Sequence, residues 1–184
     1  MTNPVLPLLW IASGAAVMLA AFRSRRDPAA ARHGRLAVAT LFIVAGAAVN
    51  AVLVTFDPKS YAPFADGSYI PFVHHTWRSL VVPHITAWIV LLIAFELAVG
   101  LLAVRGGAQT RVAYAAAIAF HLALLSFGFG FAVWVVPMVA ALTALWRAEV
   151  GGATTEASAP RPANRPGRAG PARAAAAAPR TRRS

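Results

Sequence analysis

Long apolar blocks alternate with short polar stretches along this chain. The blocks run from about 5 to 22, 36 to 56, 81 to 104 and 112 to 146. At ~1.5 Å per residue, the second block would make a helix of ~31 Å, close to the thickness of the hydrocarbon core of a bilayer. The pattern therefore predicts an all-α fold, a polytopic membrane helical bundle.

The last apolar block is too long for one span. As a single helix its 35 residues would measure ~52 Å, whereas a break near Gly128 and Gly130 would give two spans of ~24 to 27 Å. We therefore predict five transmembrane helices. An unbroken last block, which would leave four spans, is the alternative.

The basic residues concentrate on one predicted side of the membrane. If the N-terminus lies outside, 15 of the 17 basic residues fall on the cytoplasmic side. They lie in the loop after the first span (23–35), in the loop after the third span (105–111) and in the C-terminal region (147–183). Cytoplasmic flanks collect Lys and Arg, so the C-terminus is predicted to be cytoplasmic. Helix 1 is predicted to stay uncleaved, because the first charged side chain, Arg23, follows the apolar stretch instead of preceding it.

Composition narrows the chemistry that this chain can perform. Cysteine is absent, which excludes disulfides, thiolate catalysis and Cys-ligated clusters. No phosphate-binding glycine loop, nucleophile elbow or HExxH pattern occurs. A non-catalytic membrane subunit is thus favoured over an enzyme acting alone, and any redox role must come from a cofactor or a partner.

Residues 148–184 differ in composition from the apolar blocks, because Ala, Pro, Gly and Arg predominate there. Such a segment cannot bury a core, so we predict a disordered cytoplasmic tail. Its arginines would set topology, and they could also attract anionic lipid headgroups. Nucleic acid is the less expected polyanion.

The predicted outer loop, residues 57–80, mixes aromatic residues with prolines. Amphipathic aromatics favour the headgroup level, so this loop is expected to lie on the bundle. His74 and His75 raise the question of a metal site. Adjacent histidines in an extended segment point to opposite sides and no cysteine is near, so the interfacial interpretation is favoured and no metal is predicted.

Glu96 is the only acid inside a predicted span, and a carboxylate at that depth is a candidate functional group. Counting along each helix from its cytoplasmic end places Glu96 ~12 Å deep, His121 ~13 Å deep and Ser13 at a similar level. Glu96 and His121 are therefore the predicted pair. Asn50 lies ~22 Å deep by the same count, so it is expected to join this layer only through a water or a ligand.

Two glycines accompany this layer. Gly100 lies one turn below Glu96, and Gly46 belongs to a small-residue face that also carries Asn50, so both are predicted to allow close helix packing. Two interpretations stay open. Glu96 is either a protonated structural partner of His121 or a group that handles a proton or a polar ligand headgroup.

Several short motifs give the chain a resemblance to a known family: Arg35 opening a helix that contains Gly46, FELAVGLLAVRGG with Glu96 and Gly100, and Thr110-Arg111 opening the next helix. Together they resemble the DoxX-like family of small bacterial membrane proteins. The similarity covers residues 35–147, which would be a four-helix unit preceded by the helix and basic loop of residues 1–34. It implies a bacterial inner-membrane location, with Glu96 at the family's acidic position. The family includes a subunit of thiosulfate:quinone oxidoreductase.

Two functional classes follow. The first is an accessory subunit of a membrane redox or quinone-linked assembly, with quinone as the implied ligand, no covalently bound cofactor, and a partner enzyme that carries the electrons. The alternative is a small proton-coupled transporter or lipid-handling protein that acts as a homo-oligomer. For that class, the chain lacks an internal repeat of the kind many transporters show.

Overall fold

The computed structural model describes residues 5–24, 26–27 and 29–158, and these residues form helices and turns without a β-strand. The α-helices are α1 (Val5–Ser24), α2 (Ala29–Thr40), α3 (Val49–Phe56), α4 (Pro71–Thr76), α5 (Ile85–Arg105), α6 (Gly107–Leu124) and α7 (Ala132–Ser158). The predicted all-helical class is confirmed.

Two of the long helices contain π-helical turns. Leu41–Ala48 is π-helical and joins α2 to α3, while Trp77–Val81 is π-helical and joins α4 through a short 3₁₀ turn to α5. Within the described residues, four continuous helices are long and apolar enough to cross a membrane, which confirms the membrane character: Ala30–Phe56, Pro71–Arg105, Gly107–Phe127 and Phe129–Gly151. Helix α1 is apolar but shorter.

The last apolar block breaks at Gly128, as its length predicts. Two short 3₁₀ turns, Leu125–Phe127 and Phe129–Phe131, flank this residue. Gly128 has a φ of 146°, and a Cβ there would lie only 2.8 Å from the carbonyl oxygen of Gly67. Only glycine fits both the backbone angle and the contact, so α6 ends and α7 begins here.

Two predicted boundaries are wrong. The third predicted span begins at Pro71 instead of near residue 81, because proline is well suited to the first turn of a helix. The segment that precedes it contains a 3₁₀ helix, Pro58–Ala65. At the other end, α7 continues past Ala148 to Ser158, so the first part of the predicted disordered tail is helical. The rest of that tail, 159–184, lies outside the described residues.

The long helices form a closed ring. Helix α1 packs against α2 and α7, α7 against α6, α6 against α5, and α5 against α2 and the first π segment. We call the end with the α1–α2 and α5–α6 turns the arginine end, after Arg26 and Arg105. The other end, with Pro58–Ala65 and the turn at Gly128, is the aromatic end.

Residues from all the long helices fill the ring toward the arginine end. The fully buried side chains there include Val38, Ala103, Tyr114 and Leu145. Arg35 on α2 closes this end with a bidentate ion pair to Glu149 on α7, at 2.6 and 2.7 Å. The Glu149 side chain is only 5% exposed, so a residue assigned by composition to a solvated tail is part of the bundle.

Candidate ligand site

Glu96 lies on the inner face of α5 and is buried. Its hydrogen-bond partner is Asn50 on α3. The Asn50 amide nitrogen donates to both carboxylate oxygens, at 3.1 Å to Oε1 and 2.9 Å to Oε2. A buried carboxylate needs such donors to offset the loss of hydration, and a carboxylate that accepts at both oxygens is held in one orientation.

Asn50 is held in turn by Tyr61, which lies in the Pro58–Ala65 turn. The Tyr61 hydroxyl donates to Asn50 Oδ1 at 2.8 Å, and the Trp77 indole N–H donates to the Tyr61 carbonyl at 3.1 Å. Burial, with a further contribution from the Glu96 carboxylate, raises the pKa of Tyr61 to about 12, so its hydroxyl keeps its proton at neutral pH. We call the linked side chains of Glu96, Asn50 and Tyr61 the polar chain.

Direct contact between Asn50 and Glu96 corrects the depth estimate from the sequence. The two helices run antiparallel, and helical side chains lean toward the N-terminus of their own helix, so Asn50 and Glu96 lean toward each other. In addition, the π segment Leu41–Ala48 places more residues in each turn than an α-helix does. Asn50 therefore lies nearer the arginine end than a uniform rise implies.

Gly46 makes this arrangement possible by having no side chain. A Cβ on Gly46 would lie 2.6 Å from Glu96 Oε1 and 2.8 Å from its Cδ, so the carboxylate occupies the space that any larger residue would fill. Gly100, one turn below on α5, faces the Ile43 side chain, and its Cβ position is 3.4 Å from the Ala39 carbonyl oxygen. The two glycines thus bring α5 and the π segment together.

The other two members of the predicted layer have different partners. His121 on α6 uses Nδ1 to donate to the Ala117 carbonyl at 2.8 Å, and Ser13 on α1 donates to the carbonyls of Leu9 and Trp10. The predicted Glu96–His121 hydrogen bond is therefore wrong. A helical histidine or serine can bond a carbonyl one turn back along its own helix, which removes the need for a partner on another helix.

A cavity of about 620 Å³ opens beside the polar chain, toward the aromatic end. This volume is in the range of small-molecule binding sites. Almost half of the residues that line it are aromatic: Trp10, Tyr61, Phe64, Trp77, Trp88, Phe120, Phe127 and Phe131. Glu96 and Asn50 also line it, so one wall offers a carboxylate and an amide, and the remaining walls are aromatic and aliphatic.

The aromatic wall is packed ring against ring. Phe64 is central, because its ring centroid lies 5.5 Å from that of Trp77, 4.9 Å from Phe127 and 5.4 Å from Phe131. Both π segments contribute lining residues, Gly46 from the first and Trp77 from the second. Local π-helical turns often occur at functional sites, which agrees with a binding role for this cavity.

The arrangement suits recognition of an organic molecule better than metal chemistry. Within the residues that the structure describes, no three His, Cys, Asp or Glu side chains come together as metal ligands. The sequence reasoning missed Tyr61 and Trp10 as parts of the site. The only available signal for Tyr61 was its place in an aromatic segment expected to lie on the bundle.

Comparison with known proteins does not assign this chain: no family model, no curated protein and no solved structure matches it significantly. The resemblance to the DoxX-like family stays a prediction. The function is therefore inferred from the cavity and the polar chain.

Proposed function

We propose that this protein binds a lipophilic molecule with a ring-shaped polar headgroup, of the quinone class, inside the membrane. The observation that supports this most strongly is a cavity of ligand size in which almost half of the lining residues are aromatic and the carboxylate, amide and phenol groups belong to one hydrogen-bonded chain. Such a site stacks a ring on its walls and fixes its orientation through a few polar contacts.

We further propose that binding serves a redox or quinone-linked assembly in the bacterial inner membrane, with this chain as a DoxX-like accessory subunit. The chain has no cysteine, so a partner would supply the electron carrier. Helix α1, with 20 residues, would measure ~30 Å and would be the first of five spans. The arginine end would then face the cytoplasm.

A binding measurement with cavity variants tests this proposal. Purified protein in mild detergent is titrated with a short-tailed benzoquinone and with its hydroquinone, and binding is followed by calorimetry. Leu92 lines the cavity, whereas Leu91 beside it is 61% exposed, so Leu92→Trp and Leu91→Trp are a matched pair. We expect Leu92→Trp to weaken binding, because the larger side chain narrows the cavity, and Leu91→Trp to preserve it. Absence of binding to the wild type, or equal binding to both variants, would refute the proposal.

A second candidate, proton-coupled handling of lipophilic cations, is favoured by one observation. The ion pairs in the described part of the chain join Arg35 to Glu149 and Asp66 to His74 and Arg78, so Glu96 has no basic partner there. Aromatic rings around a carboxylate attract organic cations. Titration with tetraphenylphosphonium tests this function. Tight binding of the cation, lost in Glu96→Gln, together with no binding of either benzoquinone form, would favour it over the first.

A further inference from the structure

The hydrogen-bond roles within the polar chain are fixed by the chemistry of its members. Both Glu96 oxygens lie within hydrogen-bond distance of the Asn50 amide nitrogen, and an ionised carboxylate can only accept. Asn50 therefore turns its amide nitrogen toward Glu96 and its oxygen toward Tyr61. That oxygen can only accept as well, so the Tyr61 hydroxyl uses its single proton on Asn50.

The Tyr61 O–H and one Asn50 N–H are thus directed along the chain, toward Glu96. The positions that Glu96 and Tyr61 leave for a ligand are acceptors, namely the remaining lone pairs of the carboxylate and of the Tyr61 oxygen, while the second N–H of the Asn50 amide stays available as a donor. A ligand that meets the Glu96 and Tyr61 oxygens must bring its own donors. A quinone carries only carbonyl acceptors in its ring, whereas the two-electron-reduced quinol carries two hydroxyl donors.

We infer that the cavity selects the reduced form of its ligand, a quinol or a similar aromatic diol, and discriminates against the quinone. This inference rests on the proposed function and specifies its substrate class. When an acceptor of the protein faces a carbonyl of the ligand, both groups lack a hydrogen-bond donor. A site built to hydrogen-bond a ligand hydroxyl therefore discriminates strongly against an analogue without that hydroxyl. We expect the wild type to bind the hydroquinone at least roughly tenfold more tightly than the quinone.

Glu96→Gln provides the decisive variant, because it changes an acceptor into a donor at nearly constant shape. The Asn50 N–H group would hold the new amide oxygen, which leaves the amide NH₂ group for the ligand. Binding of the hydroquinone should weaken by about tenfold and binding of the quinone should strengthen. Asp66→Asn, the same chemical change on an exposed carboxylate outside the cavity lining, should leave both affinities unchanged.

Two other donors on the cavity wall define the competing explanation. The indole groups of Trp10 on α1 and Trp88 on α5 also line the cavity, and a quinone held by these N–H groups would be indifferent to the residue at position 96. In that case Trp10→Phe or Trp88→Phe, not Glu96→Gln, would change quinone affinity.

The experiment is anaerobic calorimetry of both forms of a decyl-substituted benzoquinone against wild type, Glu96→Gln and Asp66→Asn in mild detergent. Preference for the hydroquinone in the wild type, with loss or reversal in Glu96→Gln only, supports the inference. Equal affinities in the wild type, or a preference that Glu96→Gln leaves intact, overturns it while the proposed quinone-class binding stands. Absence of binding by either form overturns both.

Discussion

Gly46→Ala is a small change with a large expected effect on the site. The new methyl carbon would lie 2.6 Å from Glu96 Oε1, so the carboxylate must retreat by about 1 Å to reach an ordinary contact distance. Its bonds to Asn50, now 2.9 and 3.1 Å, would then be lengthened or lost. Loss of a charged hydrogen bond costs about 1.5 to 3 kcal/mol, offset by up to ~1 kcal/mol from the stiffer backbone.

The assay combines thermal unfolding in detergent with calorimetric titration of the hydroquinone. Gly46→Ala should lower the free energy of unfolding by about 1 to 2 kcal/mol and weaken ligand binding by roughly tenfold. Gly100→Ala is the matched control, since its methyl would crowd the Ile43 side chain instead of the carboxylate. It should destabilise by a similar amount, roughly 1 to 3 kcal/mol for overpacking, and bind normally. Equal binding by both variants would refute the reasoning.

Three further predictions concern an ion pair, a hydrogen bond and the topology of the chain. Arg35→Gln leaves the buried Glu149 carboxylate unpaired, so it should lower the free energy of unfolding by about 2 to 3 kcal/mol. Arg78→Gln breaks an exposed ion pair and should lower it by less than about 1 kcal/mol. Equal losses of stability in the two variants would contradict this. Tyr61→Phe removes one hydrogen bond and should cost about 1 kcal/mol, while Tyr69→Phe, which keeps its ring stacking, should be neutral. A reporter fused near Gly67 should read external, and reporters fused after Arg26, Gly107 and Ala157 should read cytoplasmic. A periplasmic signal at Ala157 would mean four spans.

Features that depend on local sequence could be predicted well. The helical class follows from the length of the apolar blocks, and the break at Gly128 follows from a block too long for one span. A buried acid at position 96 could be identified as a site candidate because no other acid lies in an apolar block. Each of these inferences uses residues that are close together in the chain.

Features that depend on how helices meet could not be predicted. The Asn50–Glu96 contact needs the relative level of two antiparallel helices and the π segment between α2 and α3, neither of which composition reveals. The ion pair between Arg35 and Glu149 joins residues 114 positions apart. Tyr61 reaches the site because the Pro58–Ala65 turn folds back toward α3, and an aromatic segment alone does not specify that path.

Quinone binding is tested most directly by the content of the cavity in protein taken from its own membrane. Protein purified in mild detergent is extracted with organic solvent, and lipid quinone and quinol are quantified per mole of chain. If the cavity holds a quinone-class ligand, wild type and Leu91→Trp carry it, and Leu92→Trp, whose larger side chain narrows the cavity, carries less. A wild type with no more quinone than its co-purified lipid background, or equal amounts in both variants, would contradict it.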